Sequence, residues 1–121
     1  MKKILLALAT FLAASLALAG CTASTEATVH PSTEAVIIDV RTPEEYASGH
    51  LEGAHLLDLN SGEFAATFTS LDPEAEYYVY CRSGNRSAQA ISMMESEGFT
   101  NVTNLGSVGD ASKATGIEIV K

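Results

Sequence analysis

Two short runs, AVIIDV at residues 35–40 and YYVYC at 77–81, are dominated by β-branched or aromatic side chains, and each hands over to helix-start chemistry. No other feature limits the fold as much. An unbroken apolar run suits a strand covered on both faces of a parallel sheet, whereas a half-exposed strand would alternate polar with apolar. After Val40, RTPEEYASGH carries full helix punctuation. Thr42 is the N-cap, Pro43 the first helical position, Glu45 the far member of a capping box and Gly49 the stop.

Strand and helix signals go on alternating. AHLLDLN (54–60) reads as a short extended segment, and SGEFAATFTSL (61–71) sets Phe64, Ala65, Phe68 and Leu71 at helical spacing. DPEAE is a turn before YYVYC. In SAQAISMMESEG (87–98), Ala88, Ile91 and Met94 share a face, Gly98 ends the helix and Phe99 packs back over that end. TNVTNL is a further strand, SVGDASKATG a short helix and IEIVK a last extended piece. This order predicts an α/β layer fold with a parallel sheet. Ligands of such sheets sit outside the carboxyl ends of the strands, and Cys81 stands at one of those ends.

The N-terminus reads as an address. MKK and the apolar ILLALATFLAASLALA have the form of a secretory signal, and LAGC at 18–21 resembles a bacterial lipoprotein box. That resemblance implies a signal peptide over 1–20, cleavage before Cys21 and acylation of Cys21. The product would be lipid-anchored to a bacterial membrane outside the cytoplasm. Residues 21–33, small, polar and threonine-rich, read as a flexible tether with a solvated His30, and the folded domain as 34–121. A lipidated Cys21 leaves Cys81 as a lone thiol, so no disulfide is expected. One cysteine and three scattered histidines also lack zinc-ligand spacing, so neither metal nor cofactor is expected.

Charge narrows the function. The net charge is −8, and beyond residue 20 five cations face fifteen acids, which excludes a nucleic-acid surface. Against that background, Arg82 and Arg86 stand close to Cys81. A strand–loop–helix junction points backbone N–H groups and the positive end of the helix dipole at one spot. Gly84 permits the tight turn. A thiol there should be lowered toward thiolate, giving an outward-aimed nucleophile inside an anion cradle.

These residues carry a family resemblance. CRSGNRS (81–87) resembles the active-site loop of the rhodanese sulfurtransferases, VIIDVRTPEEYASGHLEGA (36–54) their second signature, and EGFTNVTNLGS (97–107) the segment after the active-site helix. The resemblance implies a three-layer fold with a mainly parallel central sheet flanked by helices. It also implies a Cys81 persulfide that takes sulfur from a thiosulfate-like donor and gives it to a thiol or cyanide. Arg82 and Arg86 would bind the donor's sulfonate, and the N–H groups of Arg82, Ser83, Gly84, Asn85, Arg86 and Ser87 would hold the terminal sulfur. The family's usual tryptophan in the last helix is missing from GSVGDASKATG.

Cysteine phosphatases and arsenate reductases use a longer loop than the four residues between Cys81 and Arg86, and Tyr80 stands where a phosphatase has histidine. A second function class is a low-activity sulfur-carrier, redox-sensing or binding module on the same fold. Asp39 is read as accepting loop N–H groups, Arg41 as pairing with Glu44 or Glu45, and His50 as structural. His55 has no motif support.

Overall fold

A computed structural model of the chain describes residues 27–121. The signal peptide expected over 1–20, the Cys21 expected to be acylated and the first part of the expected tether lie outside the described residues.

Strand β1 (Val36–Asp39) leads into α1 (Pro43–Ser48), β2 (His50–Leu51) and β3 (His55–Leu56). Next come α2 (Glu63–Thr67), continued by a 3₁₀ turn at Phe68–Ser70, then β4 (Tyr77–Cys81) and α3 (Asn85–Ser96). The chain ends with β5 (Val102–Ser107), α4 (Val108–Thr115) and β6 (Ile119–Val120). The main sheet runs β3–β1–β4–β5 with every pair parallel, and β2 pairs antiparallel with β6 in a separate ribbon. This is the α/β architecture expected: a mainly parallel sheet between helices.

Central β4 is buried along its whole length, and its two-residue period divides the core. Tyr77, Val79 and Cys81 join Ile38, Val40, Phe64, Phe68, Ala90, Met94 and Phe99 on the face covered by α2 and α3. Tyr78 and Tyr80 join Ile37, Leu51, Ala54, Leu105 and Ala111 on the face covered by α4. On the first face Phe64 stacks on Phe68 at 5.0 Å, and Phe99 meets Tyr77 edge-on at 5.5 Å. Phe99 reaches the core because the chain turns just past α3 at Gly98, whose φ of +93° suits glycine, and Phe99 N–H bonds to Met94 O.

The α1 punctuation holds in full: Thr42 Oγ1 accepts from Glu45 N–H, and Glu45 Oε1 accepts from Thr42 N–H. Four expectations need correction. On α3 Met94 is buried and Ile91 packs against the core as expected, but Ala88 is exposed and Ser87 and Ala90 complete the buried face, because the i, i+3, i+4, i+7 stripe that ends at Met94 begins at Ser87. Ala65 faces solvent, since α2 lasts five residues before tightening. The ribbon partner of β6, His50–Leu51, begins on the last residue of RTPEEYASGH, where the sequence pattern marks no strand. Part of the expected tether is docked on the domain: Thr28 and Val29 N–H both bond to Ala114 O, and Ser32 Oγ bonds to Glu76.

Candidate active site

Cys81 is the last residue of β4, and the chain turns sharply behind it. Gly84, the N-cap of α3, has φ +97°, a conformation that L side chains rarely adopt. A Cβ there would also meet Gly106 Cα of β5 at 3.5 Å. The turn brings Gly84 N–H to 2.9 Å from Cys81 Sγ, and Ser87 Oγ, in the first turn of α3, to 3.5 Å.

The sulfur lies at the boundary between grease and donors. Cys81 is fully buried and belongs to the apolar cluster on the α2/α3 face, so the outward-facing thiol expected from the sequence is not found. The period of β4 explains this, because position 81 points the same way as Tyr77 and Val79. Burial pushes the thiol up. The Ser87 hydroxyl and the backbone N–H groups of Ser87, Ser83 and Gly84 outweigh that and leave it below its ordinary value. The anion cradle therefore forms, from the loop backbone and one hydroxyl.

The two arginines behave differently from each other. Arg86 donates to both oxygens of Glu45, Nη1 to Oε1 at 2.8 Å and Nη2 to Oε2 at 3.0 Å, a bidentate pair across 41 residues of chain. Glu45 is thereby held well below the usual carboxylate range, at about 2, first by Arg86 and then, against the cost of burial, by Thr42 N–H. Arg86 is raised, first by that hydrogen bond; burial works against it, and the charges of Glu45, Cys81 and Asp58 support it. Arg82 is exposed and makes no ion pair among the described residues. Ser83 and Asn85 are exposed on the same turn.

Strand β5 supplies a residue that the sequence did not mark. Val79 is opposite Asn104 but Tyr80 is opposite Gly106, so Leu105 is an extra residue, a β-bulge beside the loop. At this bulge Asn104 Oδ1 accepts from Ser87 Oγ at 2.8 Å and from Gly106 N–H at 2.9 Å, while Nδ2 donates to Gly84 O at 3.3 Å. Nothing local in TNVTNL signals this, because the partners are 17 and 20 residues away.

The remaining flagged residues are structural. Asp39 Oδ1 accepts Arg41 N–H at 2.9 Å, as a strand-end carboxylate should. Arg41 pairs with Asp39 at 2.7 Å and reaches Gly49 O at 2.6 Å, which corrects the expected partners Glu44 and Glu45. The reason is reach: both groups leave the end of β1 on the same side, where the guanidinium also lies 5.6 Å from the Tyr80 ring centroid. His50 stacks on Tyr46 at 3.6 Å and bonds to its carbonyl. His55 is exposed and lines an apolar cavity of about 320 Å³ at the β3 edge, which contains none of the loop residues. Among the described residues no group of histidine, cysteine and carboxylates could hold a metal ion.

A cysteine at a parallel strand end, ringed by N–H groups before a helix, defines a class. Residues 25–108 match the profile of the rhodanese-like domain, and the chain belongs to that family. Thiosulfate sulfurtransferase GlpE of Pseudomonas entomophila is 38% identical over 71 residues, 59% of this chain and 63% of that protein. The chain thus spans less than two thirds of that relative. Thiosulfate sulfurtransferase PspE of Escherichia coli is 34% identical over 73 residues, 60% of this chain and 70% of that protein. Among solved structures, the rhodanese-like domain of the Alr3790 protein from Anabaena sp. is similar with a TM-score of 0.61 and 28% identity, covering 75% of this chain and 83% of that one. A structure described as rhodanese with anions from E. coli gives 0.57 and 31%, covering 72% and 98%.

Proposed function

We propose that this protein is a sulfurtransferase working through a Cys81 persulfide. The observation that carries the reading is the Gly84 N–H at 2.9 Å from a thiol whose ordinary acidity is increased by its surroundings. The Cys81 thiolate attacks the outer sulfur of a thiosulfate-like donor. A bond forms between Sγ and that sulfur, the donor's S–S bond breaks, and sulfite leaves with the electron pair. The persulfide anion then gives its outer sulfur to cyanide or to a thiolate, and Cys81 returns as thiolate. Charge and electrons balance without an added oxidant.

The loop divides the work. N–H groups from Arg82 to Ser87 hold the transferred sulfur, including those of Ser83, Gly84, Asn85 and Arg86. Arg82, exposed and unpaired among the described residues, meets the donor's anionic oxygens. Arg86 does so only by leaving Glu45. The names of the relatives from Pseudomonas and E. coli support a thiosulfate-type donor. Cys21 is the proposed lipid attachment point, holding the domain outside the cytoplasm on a bacterial membrane.

A second reading is a sulfur carrier with slow thiosulfate turnover. Full burial of Cys81 and the commitment of Arg86 to Glu45 favour it, and the putative sulfur carrier protein YrkF of Bacillus subtilis is 38% identical over 69 residues. Incubation of the full chain with thiosulfate, followed by intact mass measurement, tests the shared step. One added sulfur atom is expected in the wild type and none in Cys81→Ser; a gain that survives the substitution would refute a Cys81 persulfide. Thiosulfate–cyanide turnover then separates the two readings.

A further inference from the structure

The hydroxyl of Ser87 has one proton and three neighbours that can take it: Asn104 Oδ1 at 2.8 Å, Gly84 O at 3.0 Å and Cys81 Sγ at 3.5 Å. Backbone groups decide which wins. Gly106 N–H can only donate, and Gly84 O can only accept. The Asn104 amide is therefore fixed with Oδ1 toward Gly106 and Nδ2 toward Gly84, because the flipped amide would set donor against donor and acceptor against acceptor. Oδ1 cannot donate, so beside a protonated thiol Ser87 donates to it. Gly84 O already receives Ala88 N–H at 3.1 Å and Asn104 Nδ2, which leaves it the weaker claimant.

We propose that Asn104, aimed at the cysteine loop by the β5 bulge, is a positioning residue that competes with Cys81 Sγ for the single proton of Ser87. With its proton on Asn104, Ser87 Oγ presents lone pairs to the sulfur. It accepts S–H from the thiol and must break its bond to Asn104 to serve the thiolate. On the persulfide reading the charge moves to the outer sulfur, Sγ no longer competes for the proton, and the Ser87–Asn104 bond is kept. Asn104 then works against the empty thiolate and in favour of the loaded site, so that the protein retains its sulfur. This last step rests on sulfur transfer at Cys81; the proton assignment does not.

The test is a pH titration of thiolate ultraviolet absorbance in the full chain, with Cys81→Ser as the baseline. The charged groups around the loop are Arg82, Arg86 on α3, Glu45 on α1, Asp58 after β3 and Asp110, whose carboxylate lies beside Gly106. None of them is altered. Asn104→Ala lowers the midpoint and raises the thiolate fraction below it about threefold to tenfold, the worth of one released hydrogen bond. In a Ser87→Ala background the same substitution does nothing. Should Asn104→Ala fail to fold, Asn104→Ser, which also cannot span Gly106 and Ser87 together, takes its place with the same expected direction. A midpoint that rises or stays fixed, as loosening of the loop would produce, overturns the proposal. So does a shift that persists without Ser87. Both outcomes read independently of whether the protein accepts sulfur from thiosulfate.

Discussion

Two arginine–carboxylate pairs flank the cysteine loop, and they are built on opposite plans. Asp39 and Arg41 are two residues apart at the end of β1, with side chains 0% and 5% exposed. Arg41 donates to both Asp39 oxygens and to Gly49 O, so the pair ties the end of β1 to the end of α1. Glu45 and Arg86 are 41 residues apart, 24% and 19% exposed, and tie α1 to α3. The first pair is sealed against water; the second is partly solvated and can open. The fold thus uses one ion pair as masonry and the other as a latch beside the cysteine loop.

The largest break of that contrast is Asp39→Ala. It leaves a buried guanidinium without its counterion, a change that typically costs about 3–5 kcal/mol. Urea denaturation should show a loss of that order, and a loss below about 1 kcal/mol would mean that water reaches the site. Glu45→Gln sharpens the comparison from the other side. Gln still serves as the far member of a capping box, so the helix start survives, and the exposed pair itself contributes only about 0.2–1 kcal/mol. The expected consequence is functional: with Glu45 neutral, Arg86 turns its charge on the donor and the KM for thiosulfate falls about threefold to tenfold, as a unit charge at this range allows. An unchanged KM in steady-state assays would show that Arg86 never reaches the substrate.

What could be read from the sequence follows the same division between local and distant contacts. The α1 capping box, Gly84 and Gly98 were legible because their chemistry is confined to a few residues, and the two buried strands because burial writes itself as an apolar run. Distant pairings were not. Glu45 was visible as a cap but not as the partner of Arg86, since its two roles use the same carboxylate and only one is local. Asn104 looked like any strand residue before an inserted Leu105 shifted the register. On α3, Ala88 stood in for Ser87 and Ala90, because a buried serine held by distant partners does not show in an apolar pattern. The β2–β6 ribbon escaped because two residues a side carry no period, and its existence depends on where α4 delivers the chain.

The smallest effect is the most diagnostic, because it asks whether the latch is held by charge. Glu45 has an ordinary value of 4.5 and is depressed to about 2 by Arg86. A depressed carboxylate contributes stability that is fully present above 4.5 and is lost as pH falls toward 2. The buried pair is common to both proteins, and the Glu76 carboxylate, also lowered by Tyr78 and Ser32, weakens both alike in acid. The informative quantity is therefore the stability difference between wild type and Glu45→Gln. Contact with water holds that difference to about 1 kcal/mol or less at neutral pH. Urea midpoints measured from pH 6 down to 2 should show it shrinking toward zero across the window below 4.5. A difference that stays level through that window would mean that Glu45 acts by shape alone, as a cap and a hydrogen-bond acceptor, and that Arg86 is already free to meet an anion at neutral pH.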